Sequence, residues 1–154
     1  MKKSKEDEIT VARNKKALRD FFILDRYEAG IVLKGSEVKS IREHKVNLRD
    51  SYGRIKNKEL FLYNMHISPY SKSRIEDINP VRVRKLLMHR REINRIAGKL
   101  TDRSLTLVPL SLYITGNLAK VEMAMVKSKA KRDKRRDIEK KEHEIEIRRA
   151  FKNF

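Results

Sequence analysis

The sequence predicts a mainly β fold: a small barrel with flanking helices, followed by a C-terminal tail that is disordered when free. Three observations predict it. Short runs with a two-residue hydrophobic period recur from Phe21 to Val126, bounded by Gly, Pro, Asn and Ser. One long amphipathic helical pattern, Val83 to Ala97, interrupts them. After Val126 the composition changes, with twelve Lys and Arg and six acids in the final 28 residues, too few apolar side chains to bury a core. The predicted division is a barrel domain over 1–126 and a basic tail over 127–154.

Met1 to Glu8 reads as a charged arm, and Val11 to Leu18 has helical character for one or two turns around Asn14, Lys15 and Lys16. Phe21 to Tyr27 is aromatic and β-branched enough for a strand, expected to pair with a second one beginning at Ala29. There Ala29, Ile31 and Leu33 alternate with Gly30, Val32 and Lys34, and Gly35 is expected to end the strand. Ser36 is placed to cap a polar helical turn in which Val38 and Ile41 share a side. Ser51 to Lys56 and Glu59 to Asn64 form a hairpin turning at Asn57-Lys58. Met65 to Ile67 extends its second strand up to Pro69, and Ser68 to Pro80 is a polar loop.

In the helix predicted at Val83 to Ala97, Val83, Leu86, Leu87, Ile93, Ile96 and Ala97 recur at three and four, and Gly98 serves as the stop. Arg82, Arg84, Lys85, Arg90, Arg91 and Arg95 form its other face. Leu105 to Leu110 and Ser111 to Thr115 read as strand bent at Pro109, turning at Gly116-Asn117 into Leu118 to Val126, where Ala119, Val121, Met123 and Met125 share a face. Six or seven short strands with a helix in mid-sheet follow the oligonucleotide-binding-fold pattern. In the tail, Asp137 with Lys141 and Glu144 with Arg148 have helical spacing, and Ile147, Phe151 and Phe154 form a thin stripe that needs a partner surface.

The 154 residues carry 39 Lys and Arg against 21 acids, a formal charge of +18, which points to a polyanionic partner, RNA first. No run is long and apolar enough to span a membrane, and Met1 to Asp7 has no apolar segment behind it to make a secretory signal. Zero cysteines exclude disulfides and thiolate metal sites and fit a reducing compartment, so a cytoplasmic protein is expected; it is also expected to be monomeric and without cofactor or metal. His44, His66, His89 and His143 lack ligand spacing. Ser36-Glu-Val-Lys39 has the serine–lysine spacing of some acyl-transfer enzymes, yet neither S-D-N nor K-T-G accompanies it, so no catalytic residue is assigned. Gly98-Lys99 lacks the upstream glycine of a phosphate loop. The helical stripe at Val83 to Ala97 is better explained as packed on the barrel than as lying on a membrane.

Seven motifs occur in order: Asn14-Lys-Lys-Ala17, E-A-G-I at Glu28 to Ile31, G-S-E-V-K-S at Gly35 to Ser40, D-S-Y at Asp50 to Tyr52, P-x-R-x-R-K-L-L at Pro80 to Leu87, L-V-P-L-S-L-Y at Leu107 to Tyr113, and D-K-R at Asp133 to Arg135. Along nearly all of its length the chain resembles the SsrA-binding protein (SmpB) family, bacterial partners of transfer-messenger RNA in ribosome rescue. The resemblance implies an RNA-binding adaptor, not an enzyme. It implies that the barrel grips the tRNA-like domain of transfer-messenger RNA near its elbow and that the tail enters the ribosomal decoding centre and mRNA channel. A general RNA-binding or ribosome-assembly factor is the alternative.

Carried over residue by residue, the resemblance implies RNA contacts at Asn14, Lys15, Glu28, Gly30, Glu37, Lys39, Ser40, Arg42, Leu87, His89 and Lys120. It implies ribosome contacts at Lys127, Lys129, Lys131, Arg132, Asp133, Lys134, Arg135, Ile147 and Phe151. Lys and Arg suit phosphate; Glu28 repels phosphate, and either bridges a neighbouring Lys or accepts from a base amino group or 2′-hydroxyl. His44 and Lys58 stand where relatives commonly have glycine, as does Ser128. His89, Arg132 and His143 replace an amide or aromatic residues.

Overall fold

In the computed structural model, residues 8–70, 79–129 and 131–152 are described, the side chains of 131–137 excepted. The ends of the chain, most of the loop expected at Ser68 to Pro80, and Phe154 of the tail stripe lie outside them. The central sheet closes on itself. Strands β1 (Glu8–Arg13), β2 (Phe21–Ile31), β4 (Tyr52–Lys56), β5 (Glu59–Tyr63), β7 (Arg84–Leu87), β8 (Leu105–Thr115) and β9 (Leu118–Ser128) run in the order β1-β8-β4-β5-β7-β2-β9, and β9 pairs back onto β8. All pairings are antiparallel. Six strands thus form an oligonucleotide-binding-type barrel, and β1 lies outside the ring, on the far half of long β8. Short β3 (Val46–Asn47) and β6 (His66–Ile67) pair separately.

Inside the ring, Leu60, Leu62, Leu86, Leu107, Val121, Met123 and Met125 are buried together on the alternate positions that the strands turn inward, in one core with Ile41 from the helix at Gly35–Arg42. Where β4 reaches β8, at Gly53 opposite Leu107, a Cβ on Gly53 would stand 2.9 Å from both Leu107 Cδ2 and Met123 Cε, so a larger residue would require both side chains to shift. A second, smaller core of Ala17, Val108, Leu110, Ala124 and Val126 lies beneath helix α1 (Lys15–Asp20). The hairpin at Asn57-Lys58 forms as expected, both residues taking positive φ (53° and 63°), the type I′ requirement. His44 also has a positive φ of 58°, the conformation glycine would adopt more readily.

Several expected boundaries move. Phe21 to Ile31 is one unbroken strand whose long partner is β9, so the two strands expected to pair with each other are a single element. Val11 to Arg13 belongs to β1, and the helical turns begin only after Asn14. Gly35 opens helix α2 (Gly35–Arg42) instead of breaking the chain before it, and the cap is Lys34, whose amide donates to Glu37 Oε1 at 2.9 Å, in place of Ser36. β6 does not continue β5, because Asn64 takes φ 63° and turns the chain away.

The largest correction falls on Val83 to Ala97. Arg84–Leu87 is strand, and only Arg90–Lys99 is helix (α3), with Gly98 inside it and Leu100 as the C-terminal cap. Arg84 and Leu86 point into the barrel while Lys85 and Leu87 point out. An inward arginine hides a two-residue period that an apolar side chain would have revealed. The composition break also misplaces the end of the barrel, since Lys127 and Ser128 pair with Phe22 and Phe21 and the Lys129 amide donates to the Asp20 carbonyl. Beyond that point Lys131–Lys152 forms helix α4. Every described side chain on it is exposed, Ile147 and Phe151 included, so its face is unfilled and its own charge pairs contribute only about 0.2–0.5 kcal/mol each.

Candidate nucleic-acid interface

A buried ion network sets one side of the interface. The side chains of Glu37 and Arg84 are 3% and 0% exposed. Arg84 Nε donates to Glu37 Oε2 at 2.7 Å, Nη1 to the Met65 carbonyl at 2.6 Å and Nη2 to the Pro80 carbonyl at 3.0 Å; Arg82 Nη2 donates to Glu37 Oε1. Burial pushes the Glu37 pKa up, but hydrogen bonds from Arg82, the Lys34 amide and Arg84 outweigh it, holding the carboxyl below its ordinary value. Helix α2 is thereby tied to β7, and its exposed face carries Lys39 and Arg42. The Lys39 ammonium lies 5.4 Å from the Tyr70 ring centroid.

On the barrel wall, the β2–β9 and β2–β7 registers place Gly30 between Lys120 and Leu87, with Glu28 two residues away. Glu28 Oε1 accepts from Lys120 Nζ at 2.8 Å, and Oε2 accepts from the Tyr113 hydroxyl at 2.5 Å. Burial first, then Glu28, raises the Tyr113 pKa well above its ordinary value, so the phenol stays a donor. Glu28 is still 57% exposed. Glu28 thus makes the lysine bridge that was one of its two expected roles, and the two bonds fix its carboxylate beside a cation. Leu87, without a Cβ opposite at Gly30, is 52% exposed on the same wall. Exposed His89 stands next, at the N-cap of α3.

A third group surrounds α1. Arg13, Lys15, Lys16, Arg19, Arg49 and Lys141 line a polar cleft of about 520 Å³ between α1, the segment after β3 and α4. Lys16 is bridged to Asp50 at 2.6 Å. So dense a set of cations attracts phosphate regardless of base sequence.

The structure thus gathers Glu28, Gly30, Leu87 and Lys120 on one wall and leaves Lys15, Lys39, Arg42 and His89 accessible around it. Three expected contacts face inward. Asn14 caps α1 by accepting from the Ala17 amide at 3.1 Å while its Nδ2 donates to Pro109 at 2.9 Å and Leu48 at 3.3 Å. Glu37 is spent on arginines, and Ser40 is fully buried with its hydroxyl unbonded. These three shape the elements that carry the exposed candidate residues. Lys127 is exposed and strand-bound, Lys129 lies 5.2 Å from the Phe22 ring centroid, and the side chains of Lys131, Arg132, Asp133, Lys134 and Arg135 lie outside the described residues. Sequence reasoning missed Tyr113 as the group orienting Glu28, and it missed Arg19 on α1 itself and Arg49 and Lys141, brought to it by the fold. The clustered cations near Lys15 were the only local signal.

No helix among the described residues is long and apolar enough to cross a membrane, and no group of three or more His, Asp or Glu among them could hold a metal ion. A closed antiparallel barrel walled with lysine and arginine around the oriented Glu28 carboxylate defines an RNA-binding barrel of the oligonucleotide-binding type. The family model described as SmpB protein matches residues 11–153, and the chain belongs to that family. The SsrA-binding protein of Halothermothrix orenii is 56% identical over 142 residues, 92% of each chain. That of Caldicellulosiruptor saccharolyticus is 51% identical over 153 residues, 99% of this chain and 97% of its own. A solved chain from a study of tmRNA-SmpB at the center of the bacterial ribosome superposes with a TM-score of 0.67 at 43% identity, covering 78% of this chain and 85% of that one.

Proposed function

We propose that this chain is a cytoplasmic adaptor of ribosome rescue that binds the tRNA-like domain of transfer-messenger RNA and brings it to stalled ribosomes for trans-translation, with no catalysis of its own. The observation that carries the reading is the family match along almost the whole chain, residues 11–153, onto a barrel built for RNA. The wall bearing Glu28 supplies selectivity, because a carboxylate accepts from a base amino group or a 2′-hydroxyl and repels bare phosphate. Lys120, Lys15, Lys39 and Arg42 supply affinity by neutralising phosphates around it. The tail past Lys129 is the ribosome-facing half, with its basic residues for the decoding centre and mRNA channel and with Ile147 and Phe151 for a surface met there.

A competition assay tests this. Wild-type protein should prefer transfer-messenger RNA to bulk tRNA, and Glu28→Arg should lower that ratio even where its total RNA affinity rises, since it exchanges a selective acceptor for a phosphate-seeking cation. A wild type without preference would overturn the reading; equal ratios for wild type and Glu28→Arg would remove Glu28 from the site.

A further inference from the structure

The barrel wall from β4 to β7 carries rings and cations that the contacts above leave unused. Register sets Tyr52 opposite Tyr63 and Arg54 opposite Phe61, and sets Phe61 opposite Lys85 on its other side. The intervening residues Gly53, Leu60, Leu62 and Leu86 are buried in the barrel, so the rings and cations share the outer surface. Tyr52 and Tyr63 stack with centroids 5.3 Å apart and planes 4° from parallel. None of the three rings is buried, and Arg54 and Lys56 are exposed beside them. Glu59, the acid of these three strands, is neutralised by Lys85 at 3.0 Å.

A cross-strand tyrosine pair steadies a hairpin without any cation nearby. Rings alternating with unneutralised arginine and lysine on an exposed sheet are what an unpaired nucleic-acid strand requires: a π face for each base and a cation for the adjoining phosphate. The charge of the whole chain, +18, favours the same occupant. We propose that Tyr52, Phe61 and Tyr63, with Arg54 and Lys56, form a second RNA surface that stacks unpaired bases, distinct from the wall at Glu28 and Lys120. The proposal goes beyond the transfer-messenger RNA reading and does not need it, so its probe carries no tRNA-like structure.

The experiment is fluorescence anisotropy of a labelled short oligoadenylate against the full chain at several salt concentrations. Wild type should bind. Tyr52→Leu and Tyr63→Leu should each weaken binding about ten-fold with an unchanged salt slope, because a stacking contact and not a phosphate contact is lost. Tyr52→Phe and Tyr63→Phe, which keep the ring, should stay near wild type. Arg54→Gln should weaken binding and reduce the log–log slope by about 0.7. Failure of wild type to bind oligoadenylate, or Leu variants that bind like wild type, would overturn the proposal. If thermal melts show that the Leu variants do not fold, photocrosslinking of wild type to a thiouridine-bearing oligonucleotide decides: adducts between Tyr52 and Tyr63 support it, and adducts confined to other segments refute it.

Discussion

Glu37→Leu should destabilise the barrel by about 3–5 kcal/mol in urea unfolding followed by circular dichroism, and adding Arg84→Met should give back part of that loss. The single change leaves a fully buried guanidinium facing a methyl group where its carboxylate stood; the double change removes the stranded charge. Recovery stays incomplete, because the Met65 and Pro80 carbonyls then lack the Arg84 donor. A double variant no more stable than Glu37→Leu would show that the pair contributes nothing specific. The pH dependence has a definite sign. Because the folded Glu37 pKa lies below its ordinary 4.5, the stability it lends is fully present above that value and is lost as pH falls through the lower, folded one. Glu37→Gln should therefore lose less stability than wild type over that acid range.

A chain ending at Lys129 should fold and bind transfer-messenger RNA with nearly unchanged affinity, yet fail to support peptide tagging on stalled ribosomes. The cut spares β9, which runs to Ser128, and the Lys129 amide bonded to Asp20. What is removed is α4, whose described side chains are all exposed and whose Ile147 and Phe151 cover nothing in the barrel. Of the cations lining the cleft by α1 it takes only Lys141. Helices without a packed face are marginal in water, so this one is expected to gain its stability from an RNA-walled surface that neutralises its charges. Reconstituted tagging at the normal rate with the 1–129 fragment would show that the tail is a solvated extension.

How much was legible follows from how local each cause is. The β8–β9 hairpin and the turn at Asn57-Lys58 were readable because turn chemistry and alternation act over a few residues. β7 was not, because its inward Arg84 depends on Glu37, 47 positions away, and a sequence gives no sign that the two will meet. Asn14 was expected as a contact only through the family resemblance, but it caps a helix and bridges to Pro109, 95 positions on. The same holds for the site. Lys120 comes to Glu28 across 92 positions through the β2–β9 register, so composition announced an RNA partner while the pairing of acceptor and cation awaited the fold. The resemblance to the family supplied Glu28 and Lys120 individually; the role of Tyr113 between them is a product of packing.

The central claim is that this protein selects one RNA, and the most direct measurement is sequencing of the RNA that co-purifies with it from cell extract. The account predicts one dominant species with an alanine-tRNA-like end, retained by wild type and depleted relative to bulk tRNA with Glu28→Arg. A broad mixture of RNAs bound by wild type would contradict it and leave a general RNA-binding protein.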